Sequence, residues 1–283
     1  MKKFFLVTIL VFTLLAGSDA KAFSISPLKI SASIAATDNK DWEIKIKNNS
    51  NQISAFYPVV IGMKQDDVGR SIFGKNIDVA ENWFKINKEE INLGPGETAS
   101  IIFSVNVPAN TPPGAHYLGL AVQEKNGQSL STQLATVLNL QISGTAKEAL
   151  ELEKLSLNKN IFFDKKWSAQ MQVRNTGNVS LNLGGEENLF YFGKKISSRA
   201  IGLGNALFAQ STRNINIILS DSDKIMLPGL YRTNIGVVYG LTHQTLNADL
   251  NFWYLPYWFL GVFGIFILLV IFFVFKKNKN EMV

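Results

Sequence analysis

The chain has 283 residues, no cysteine and a formal net charge of +6 at pH 7. The absence of cysteine excludes disulfide bonds, thiolate metal sites and a cysteine nucleophile. Six of the 28 basic residues but only two of the 22 acidic residues lie in the two terminal segments, so the rest of the sequence carries a net charge of only +2. The sequence therefore predicts no nucleic-acid partner.

The first 22 residues have the organisation of a secretory signal peptide. Two lysines are followed by an apolar run, residues 4–16, and then by a small-x-small triplet that ends at Ala22. That order predicts export and cleavage between Ala22 and Phe23. An uncleaved anchor or a buried core helix is the alternative, but a run of about thirteen apolar residues is short for crossing a bilayer.

Residues 23–145 show the period-two alternation of apolar side chains that is typical of β-strands. Residues 42–46 form one such run and residues 101–107 form another. Turn clusters rich in Asn, Gly and Pro separate the runs, and no long amphipathic helical pattern competes with them. The sequence therefore predicts an all-β domain here.

Residues 146–252 repeat this layout. The alternating residues 167–173 lead into the turn cluster 175–178, as residues 42–46 lead into residues 48–51. Short strands at regular turn spacing, present twice, predict two tandem immunoglobulin-like β-sandwich domains, over 23–145 and 146–252. We expect the tryptophan that opens each alternating run to be a core residue.

Residues 253–275 contain no charged residue. As one α-helix they would be about 34 Å long, which is enough to span the hydrocarbon core of a bilayer. A buried globular helix is the alternative, but such a helix is rarely apolar on every face and followed by a lysine cluster. The predicted membrane-interface anchors are Trp253, Tyr254, Tyr257, Trp258, Lys276, Lys277 and Lys279. Aromatic residues at the start and lysines at the end place the N-terminus outside and residues 276–283 in the cytoplasm. The sequence thus predicts a single-pass cell-membrane protein whose extracytoplasmic domains face the cell wall or the exterior.

Few residues point to catalysis. The histidines, His116 and His243, lie in no metal-binding spacing. Carboxylate pairs are candidates for a wall-modifying glycosidase, but we interpret them as solvated loop charges. They are Asp66 with Asp67, Glu89 with Glu90, Glu186 with Glu187, and Asp221 with Asp223. We predict no catalytic residue, no metal and no small-molecule cofactor.

The candidate ligand-binding residues are His116, Tyr117, Lys194, Lys195 and Arg199. A turn or core role is the alternative for His116. The three basic residues have the charge to meet anionic wall polymer or lipid headgroups, and a solvated surface is the alternative for them.

Several motifs are similar to those of bacterial surface proteins. The stretch 83–97, which ends in Leu-Gly-Pro-Gly-Glu, and the stretch 107–119, with Pro-Gly-Ala-His-Tyr, resemble the peptidoglycan-binding domain of the WxL-interacting protein family. Residues 173–179 and 252–256 resemble related, uncharacterised two-domain envelope proteins with a C-terminal membrane anchor. The resemblance implies an immunoglobulin-like fold, a surface location, and binding to peptidoglycan or to other surface proteins.

Three functional hypotheses follow. The first is a non-catalytic, membrane-anchored binding or scaffolding protein that contacts cell-wall polymer or other envelope proteins. The alternative is a chaperone-like or assembly factor, in which a sheet edge free of proline and of inward-pointing charges accepts a client strand. The third, a wall-modifying enzyme, requires two carboxylates about 5–9.5 Å apart across a cleft.

Overall fold

The computed structural model describes residues 23–125, 132–165, 167–218 and 227–280, with side chains described up to residue 275. The predicted signal peptide, including Ala22, lies outside the described residues, as do Asp221 and Asp223. The described chain is mostly β with one C-terminal α-helix, which confirms the all-β part of the predicted fold class.

The described residues fall into two compact units. The first unit consists of the residues up to Lys64 and of Ile72–Thr145. The second unit consists of Gln65–Ser71 and of the residues from Ala146 onward.

The first unit is an immunoglobulin-like β-sandwich. Its described elements are β1 (Phe23–Ser26), β2 (Lys29–Ile34), β3 (Asn39–Asn48), β4 (Ser54–Gln65), β5 (Ser71–Gly74), a 3₁₀ helix (Val79–Trp83), β6 (Phe84–Ile86), β7 (Ile91–Leu93), β8 (Thr98–Asn106), β9 (Gly114–Glu124) and β10 (Thr132–Ile142). One sheet has the strand order β1-β3-β8-β6, and the other has the order β2-β10-β9-β4-β5, with β7 also paired to β4. Both sheets contribute side chains to one buried core.

The core of the first unit explains the period-two pattern of its sequence. Trp42, Ile44 and Ile46 on β3 are buried, and the polar residues between them are exposed. Trp42 lies opposite Phe103, and Ile44 opposite Ile101, on β8. The prediction that Trp42 is a core residue is confirmed.

The chain changes sheet between β1 and β2. β1 pairs with β3, whereas β2 pairs in parallel with β10, from Lys29 opposite Val137 to Ile34 opposite Ile142. The N–H of Val137 donates to the carbonyl of Leu28 at 2.9 Å. This switch covers the outer edge of β10 over six residue pairs.

The second unit has the same kind of architecture. Its described elements are β11 (Leu150–Leu157), β12 (Ile161–Phe162), β13 (Ser168–Asn175), β14 (Leu183–Tyr191), β15 (Lys194–Ile201), β16 (Thr212–Ile218), β17 (Gly229–Tyr239), β18 (Gln244–Tyr254) and the helix α1 (Tyr257–Asn280). The sheet orders are β11-β13-β16 and β12-β18-β17-β14-β15. Several aromatic rings contact one another in its core: Trp167, 2% exposed, contacts Phe162 and Phe252 with ring centroids 5.7 and 5.1 Å away. Trp167 is therefore a core residue, as predicted.

One buried asparagine organises the equivalent turn in each unit. Asn48, at the end of β3, donates through Nδ2 to the carbonyls of Gln52 and Leu93. Asn175, at the end of β13, donates to the carbonyls of Val179, Leu207 and Phe208. In both turns the asparagine Oδ1 accepts the backbone N–H two residues later. The repeated sequence pattern thus corresponds to a repeated hydrogen-bond network.

The C-terminal helix begins later than predicted. Trp253 and Tyr254 belong to β18, where they lie opposite Leu230 and Gly229 of β17, so the helix starts only at Tyr257. It continues through Asn280, past the predicted end at residue 275. The stretch Tyr257–Phe275 has 19 residues, a mean hydropathy of 2.9 and no buried part, so it is long and apolar enough to cross a membrane.

Candidate binding site at an open strand edge

β18 is a long strand that begins at a well-fixed turn. It pairs along its whole length with β17, from Gln244 opposite Tyr239 to Tyr254 opposite Gly229. At the turn, both oxygens of the Glu148 carboxylate accept hydrogen bonds, from the N–H groups of Leu241 and Thr242 and from the Thr242 hydroxyl. These bonds lower the pKa of Glu148 below its usual range. The turn therefore fixes where β18 starts.

The other side of β18 is largely uncovered. β12 pairs with β18 only at Trp253 and Tyr254, where the N–H of Trp253 donates to the carbonyl of Asn160 at 2.9 Å. Because backbone groups alternate in direction along a strand of an antiparallel pair, residues of the same parity as Trp253 also point outward. These residues are Thr245, Asn247, Asp249 and Asn251. Within the described chain, no hydrogen bond reaches their outward N–H and C=O groups.

The first unit shows what normally covers this position. β10 is the last strand of the first sandwich, as β18 is of the second, and each has an outer neighbour that runs parallel to it. β2 covers six residues of β10, whereas β12 covers two residues of β18. The second unit therefore leaves open a length of strand edge that its counterpart closes.

The face that β18 turns toward the core is apolar. Leu246, Ala248 and Leu250 are half-buried, and Phe252 is buried. Leu152, Leu155 and Leu157 of β11, the edge strand of the opposite sheet, are also half-buried and pack against the same core. Half-buried leucines thus line the open side of the sandwich from both sheets. A strand added to β18 would place every second side chain against them.

The exposed face of β18 carries little charge. Asp249 is its single ionisable residue. Nδ2 of Asn234 donates to one Asp249 oxygen at 2.9 Å, and Nη1 of Arg232 lies 4.0 Å from the other. β18 contains no proline and no lysine, and none of its charges points inward. These are the features that we expect of an edge able to accept a client strand.

Two other edges of the second unit, those of β15 and β16, are better protected. β15 carries Lys194 and Lys195 at its start and a register irregularity opposite Leu189 and Phe190. The backbone of β16 is engaged through the N–H of Asn214, which bonds to the carbonyl of Asp67, and through the carbonyl of Ile218, which accepts from Arg199. Lysines, bulges and side-chain caps all hinder pairing with another chain.

The edges of the first unit are short or covered. β1, β5 and β6 have only three or four residues each. β2 has six residues. Among the described strands, β18 therefore offers the longest uncovered edge without a lysine.

The structure places His116 and Tyr117 in a structural role. Nδ1 of His116 lies 2.7 Å from Oδ1 of Asp78, and the N–H of Tyr117 donates to Oδ2 of Asp78. Asp78 also caps the 3₁₀ helix by accepting the N–H of Ala80. Burial raises the pKa of Asp78, but the hydrogen bonds from His116 and Ala80 outweigh it and leave the pKa below its usual range. His116 and Tyr117 thus tie β9 to the helix.

The three predicted basic residues do not act as one cluster. Lys194 and Lys195 are exposed at the start of β15. Arg199 donates through Nε to Glu187 at 2.5 Å and through Nη2 to the carbonyl of Ile218 at 2.7 Å. Arg199 is therefore committed to the sandwich, and Nζ of Lys195 lies 3.9 Å from a carboxylate oxygen of Glu186.

The interpretation of Glu187 as a solvated loop charge is wrong. Glu187 lies on β14 and is only 4% exposed, because it shares the inward face with Leu189. Its carboxylate accepts hydrogen bonds from Arg199 and from the buried hydroxyl of Thr233. Its neighbour Glu186 is exposed on the other face.

Two of the predicted membrane-interface anchors have different environments. Trp253 is half exposed, whereas Tyr254 is buried with its ring near Trp167 and Tyr231. Tyr254 is thus a core residue, because adjacent residues of a strand point to opposite faces. Tyr257 and Trp258, at the start of α1, are exposed. Lys276, Lys277 and Lys279 fall in the last turns of α1, where side chains are not described.

Comparison with known proteins gives a likeness of backbone only. No family model and no curated protein matches the chain. Similar solved structures include the class 5 fimbriae chaperone CfaA, with 10% identity, coverage of 83% of this chain and 100% of that chain, and a TM-score of 0.48. The CupB2 chaperone of Pseudomonas aeruginosa has 11% identity, coverages of 80% and 98%, and a TM-score of 0.35. A chain of the CsuC-CsuE chaperone-tip adhesion subunit complex of Acinetobacter baumannii has 12% identity, coverages of 69% and 89%, and a TM-score of 0.39. TM-scores below 0.5 at such identities establish no shared function.

Proposed function

We propose that this protein is a membrane-anchored, extracytoplasmic binding protein whose β18 edge accepts an extended segment of a polypeptide partner, as a chaperone or assembly factor does. The observation that carries the proposal is the contrast between the two units. Six residues of β10 have a parallel neighbour, but only two residues of β18 do. A partner strand would supply the missing neighbour and pair with the outward backbone groups of residues 245–251.

The chemistry of the edge defines the partner. Backbone hydrogen bonds give affinity without regard to side chains, while the half-buried leucines select every second residue of the added strand. Leu246 and Leu250 on β18 and Leu155 on β11 present apolar surface to it. The preferred partner is therefore an extended segment with apolar residues at alternate positions and no proline between them. Such binding needs no catalytic residue, metal or cofactor.

The proposal also assigns a location. The apolar stretch Tyr257–Phe275 spans the membrane, exposed aromatic residues mark its outer end, and three lysines follow its inner end. Two tandem immunoglobulin-like domains then lie outside the cell, delivered by the signal peptide of residues 1–22. The open part of the β18 edge ends at Asn251, and the membrane helix begins at Tyr257, so a bound partner segment is held at the cell surface.

Binding of peptidoglycan is a separate proposal, implied by the resemblance of residues 83–119 to the WxL-interacting proteins. It is tested by retention of the full-length, detergent-solubilised protein on purified peptidoglycan. Retention above that of an unrelated β-sandwich protein supports it, and equal retention contradicts it. Either result leaves the strand proposal to its own test.

Site-specific crosslinking tests the strand proposal directly, because the chain has no native cysteine to compete for the label. Thr245→Cys carries a benzophenone label on the open edge, and Ser198→Cys carries the same label on β15, the lysine-protected edge of the same sheet. Both residues are exposed. The labelled full-length proteins are irradiated in cells that produce them, and the products are identified by mass spectrometry.

The proposal predicts crosslinks from residue 245 to short polypeptide segments with alternating apolar residues, and few crosslinks from residue 198. Equal yields at both positions would contradict the proposal. Crosslinks from residue 245 to glycan alone would contradict it as well and would favour the wall-polymer hypothesis.

A further inference from the structure

The end of the second unit from which α1 leaves carries a row of exposed apolar side chains. We call this row the apolar rim and define it as Phe163, Phe192, Leu227, Leu230 and Trp253. Each of these side chains is at least 40% exposed. Exposure of several large apolar residues at one end of a sandwich calls for a partner surface, since single exposed residues are ordinary but a contiguous group is not.

The strand register places the rim at one end of the sheet. Trp253 lies opposite Leu230, and Leu227 precedes the start of β17 by two residues. Phe163 directly follows β12, which runs parallel to β18 and ends opposite Tyr254. Phe192 follows Tyr191, the last residue of β14, which lies opposite Tyr231. Four adjacent strands at about 4.8 Å spacing make the rim roughly 15 Å wide.

The hairpin tip between β14 and β15 is the most exposed part of the rim. Tyr191 and Lys194 pair, so Phe192 and Gly193 are the two turn residues, and both have positive φ, 46° and 78°. Asparagine or glycine suits the first of these positions, and a bulky aromatic residue there is strained. Phe192 is nevertheless 79% exposed, with its ring edge-on to that of the neighbouring Tyr191 and the two centroids 4.6 Å apart. An exposed, strained aromatic residue at a loop tip points to a contact outside the chain.

The rim is continuous with the start of the membrane helix. Only Leu255 and Pro256 separate β18 from α1. The N–H of Leu255 donates to the carbonyl of Phe162 at 2.8 Å, and the ring of Phe163 stacks on that of Tyr257, with centroids 5.5 Å apart. These contacts hold the rim beside the first turn of the helix.

We propose that the apolar rim lies among the lipid headgroups around α1, in the leaflet of the membrane that faces outside the cell. The ring of Phe192 inserts into this leaflet, and the exposed lysines Lys194 and Lys195 face anionic headgroups. The proposal rests on the membrane anchoring stated under the proposed function. Aromatic and apolar side chains flanked by lysine favour this interface, where rings meet the acyl boundary and ammonium groups meet phosphate. The rim thus fixes how the second unit stands on the bilayer.

The experiment measures depth with a fluorescent label on single cysteines in the full-length protein, reconstituted in vesicles of phosphatidylcholine and phosphatidylglycerol. Lys194→Cys reports on the hairpin tip while Phe192 is kept. Leu241→Cys reports on the turn at the opposite end of β18, where Leu241 is 85% exposed. Leu268→Cys reports on the membrane helix. Quenchers are attached either to the lipid headgroup or deep in the acyl chain.

The proposal predicts that the headgroup quencher reduces the fluorescence of the label at residue 194 several times more than that of the label at residue 241. Phe192→Ser in the Lys194→Cys protein should abolish most of this difference. Equal quenching at residues 194 and 241, or no effect of Phe192→Ser, would overturn the proposal. Quenching of the label at residue 268 by the acyl-chain quencher shows separately that the helix is in the bilayer. If this quenching is absent, the membrane anchoring itself is refuted, and not only the placement of the rim.

Discussion

A proline at Asn247 should block partner binding while leaving the second unit folded. The N–H of Asn247 points to the open side of β18, so Asn247→Pro removes no hydrogen bond to β17. Ala248, the next residue, lies opposite Ile235, and its N–H points toward β17. Ala248→Pro is therefore the matched substitution that should disturb the sheet. Asn247→Ala keeps the N–H and is the control for loss of the side chain.

The size of the effect follows from the backbone groups at the edge. Thr245, Asn247, Asp249 and Asn251 each offer one outward N–H and one outward C=O to a partner strand. Asn247→Pro removes one donor and leaves a partner carbonyl unpaired in a desolvated contact, at a cost of about 1–3 kcal/mol. That cost corresponds to binding that is about 5- to 150-fold weaker. For Ala248→Pro, the unpaired carbonyl of Ile235 should lower the free energy of unfolding by about 1–3 kcal/mol.

Crosslinking from Thr245→Cys gives the binding readout, and urea unfolding followed by hydrogen exchange of the second unit gives the stability readout. We expect Asn247→Pro to lose most of the crosslinked product at nearly unchanged stability, and Asn247→Ala to keep both. Undiminished crosslinking by Asn247→Pro would refute pairing along the β18 backbone. Equal destabilisation by the two prolines would refute the assignment of which N–H groups point outward.

Three further predictions concern the two cores. Asn48→Ala and Asn175→Ala each leave buried carbonyls unpaired, so each should lower the free energy of unfolding of its own unit by about 2–4 kcal/mol. Hydrogen exchange, measured separately for the two units, checks this prediction. An equal effect of either substitution on the other unit would contradict it. Glu187→Ala, which leaves the guanidinium of Arg199 without its carboxylate partner, should destabilise the second unit by about 2–4 kcal/mol. Glu186→Ala removes an exposed carboxylate and should leave the urea midpoint nearly unchanged. Similar urea midpoints for the two variants would contradict this. Asp78→Asn should destabilise the first unit at pH 7. Because the pKa of Asp78 is lowered in the folded state, the difference in stability between the variant and the unsubstituted protein should shrink as the pH falls below about 4. If urea unfolding finds the same difference at pH 7 and pH 3, the ionised Asp78 carboxylate does not stabilise the first unit.

The sequence predicts the strands well because a half-buried strand needs an apolar side chain at every second position. The run that starts at Trp42 lies in β3, the run that starts at Trp167 leads directly into β13, and both tryptophans are buried. The turn asparagines are also visible in the sequence, since Asn48 and Asn175 end these runs. Their hydrogen bonds are not visible, because the carbonyls they reach come from distant segments such as Leu93 and Leu207.

The open edge of β18 is not predictable from the sequence alone. The alternation of apolar residues at 246–252 predicts a strand. Which segment pairs with the outer edge of that strand, and over what length, depends on where the chain crosses from the opposite sheet. After β11 and the turn at residues 158–160, only Ile161 and Phe162 pair with β18, whereas six residues of β2 pair with β10. The short stretch between that turn and Trp167 is the one sequence feature that hints at the difference.

The boundary of the membrane helix shows a similar limit. Trp253 and Tyr254 are apolar and lie next to an apolar run, so the sequence predicts that the helix includes them. Pairing with β17 decides otherwise, because their backbone groups bond within the sheet. Pro256, which lacks an N–H, then separates the strand from the helix that starts at Tyr257.

Residue-resolved hydrogen exchange shows directly whether the edge of β18 is open. It is measured on the full-length protein alone and on the complex captured through residue 245. In the free protein the amides of Asn247, Asp249 and Asn251 should exchange rapidly, while that of Val137, which bonds to Leu28, should be protected. In the complex the same three amides should become protected. Protection already present in the free protein, or none gained in the complex, would contradict the account.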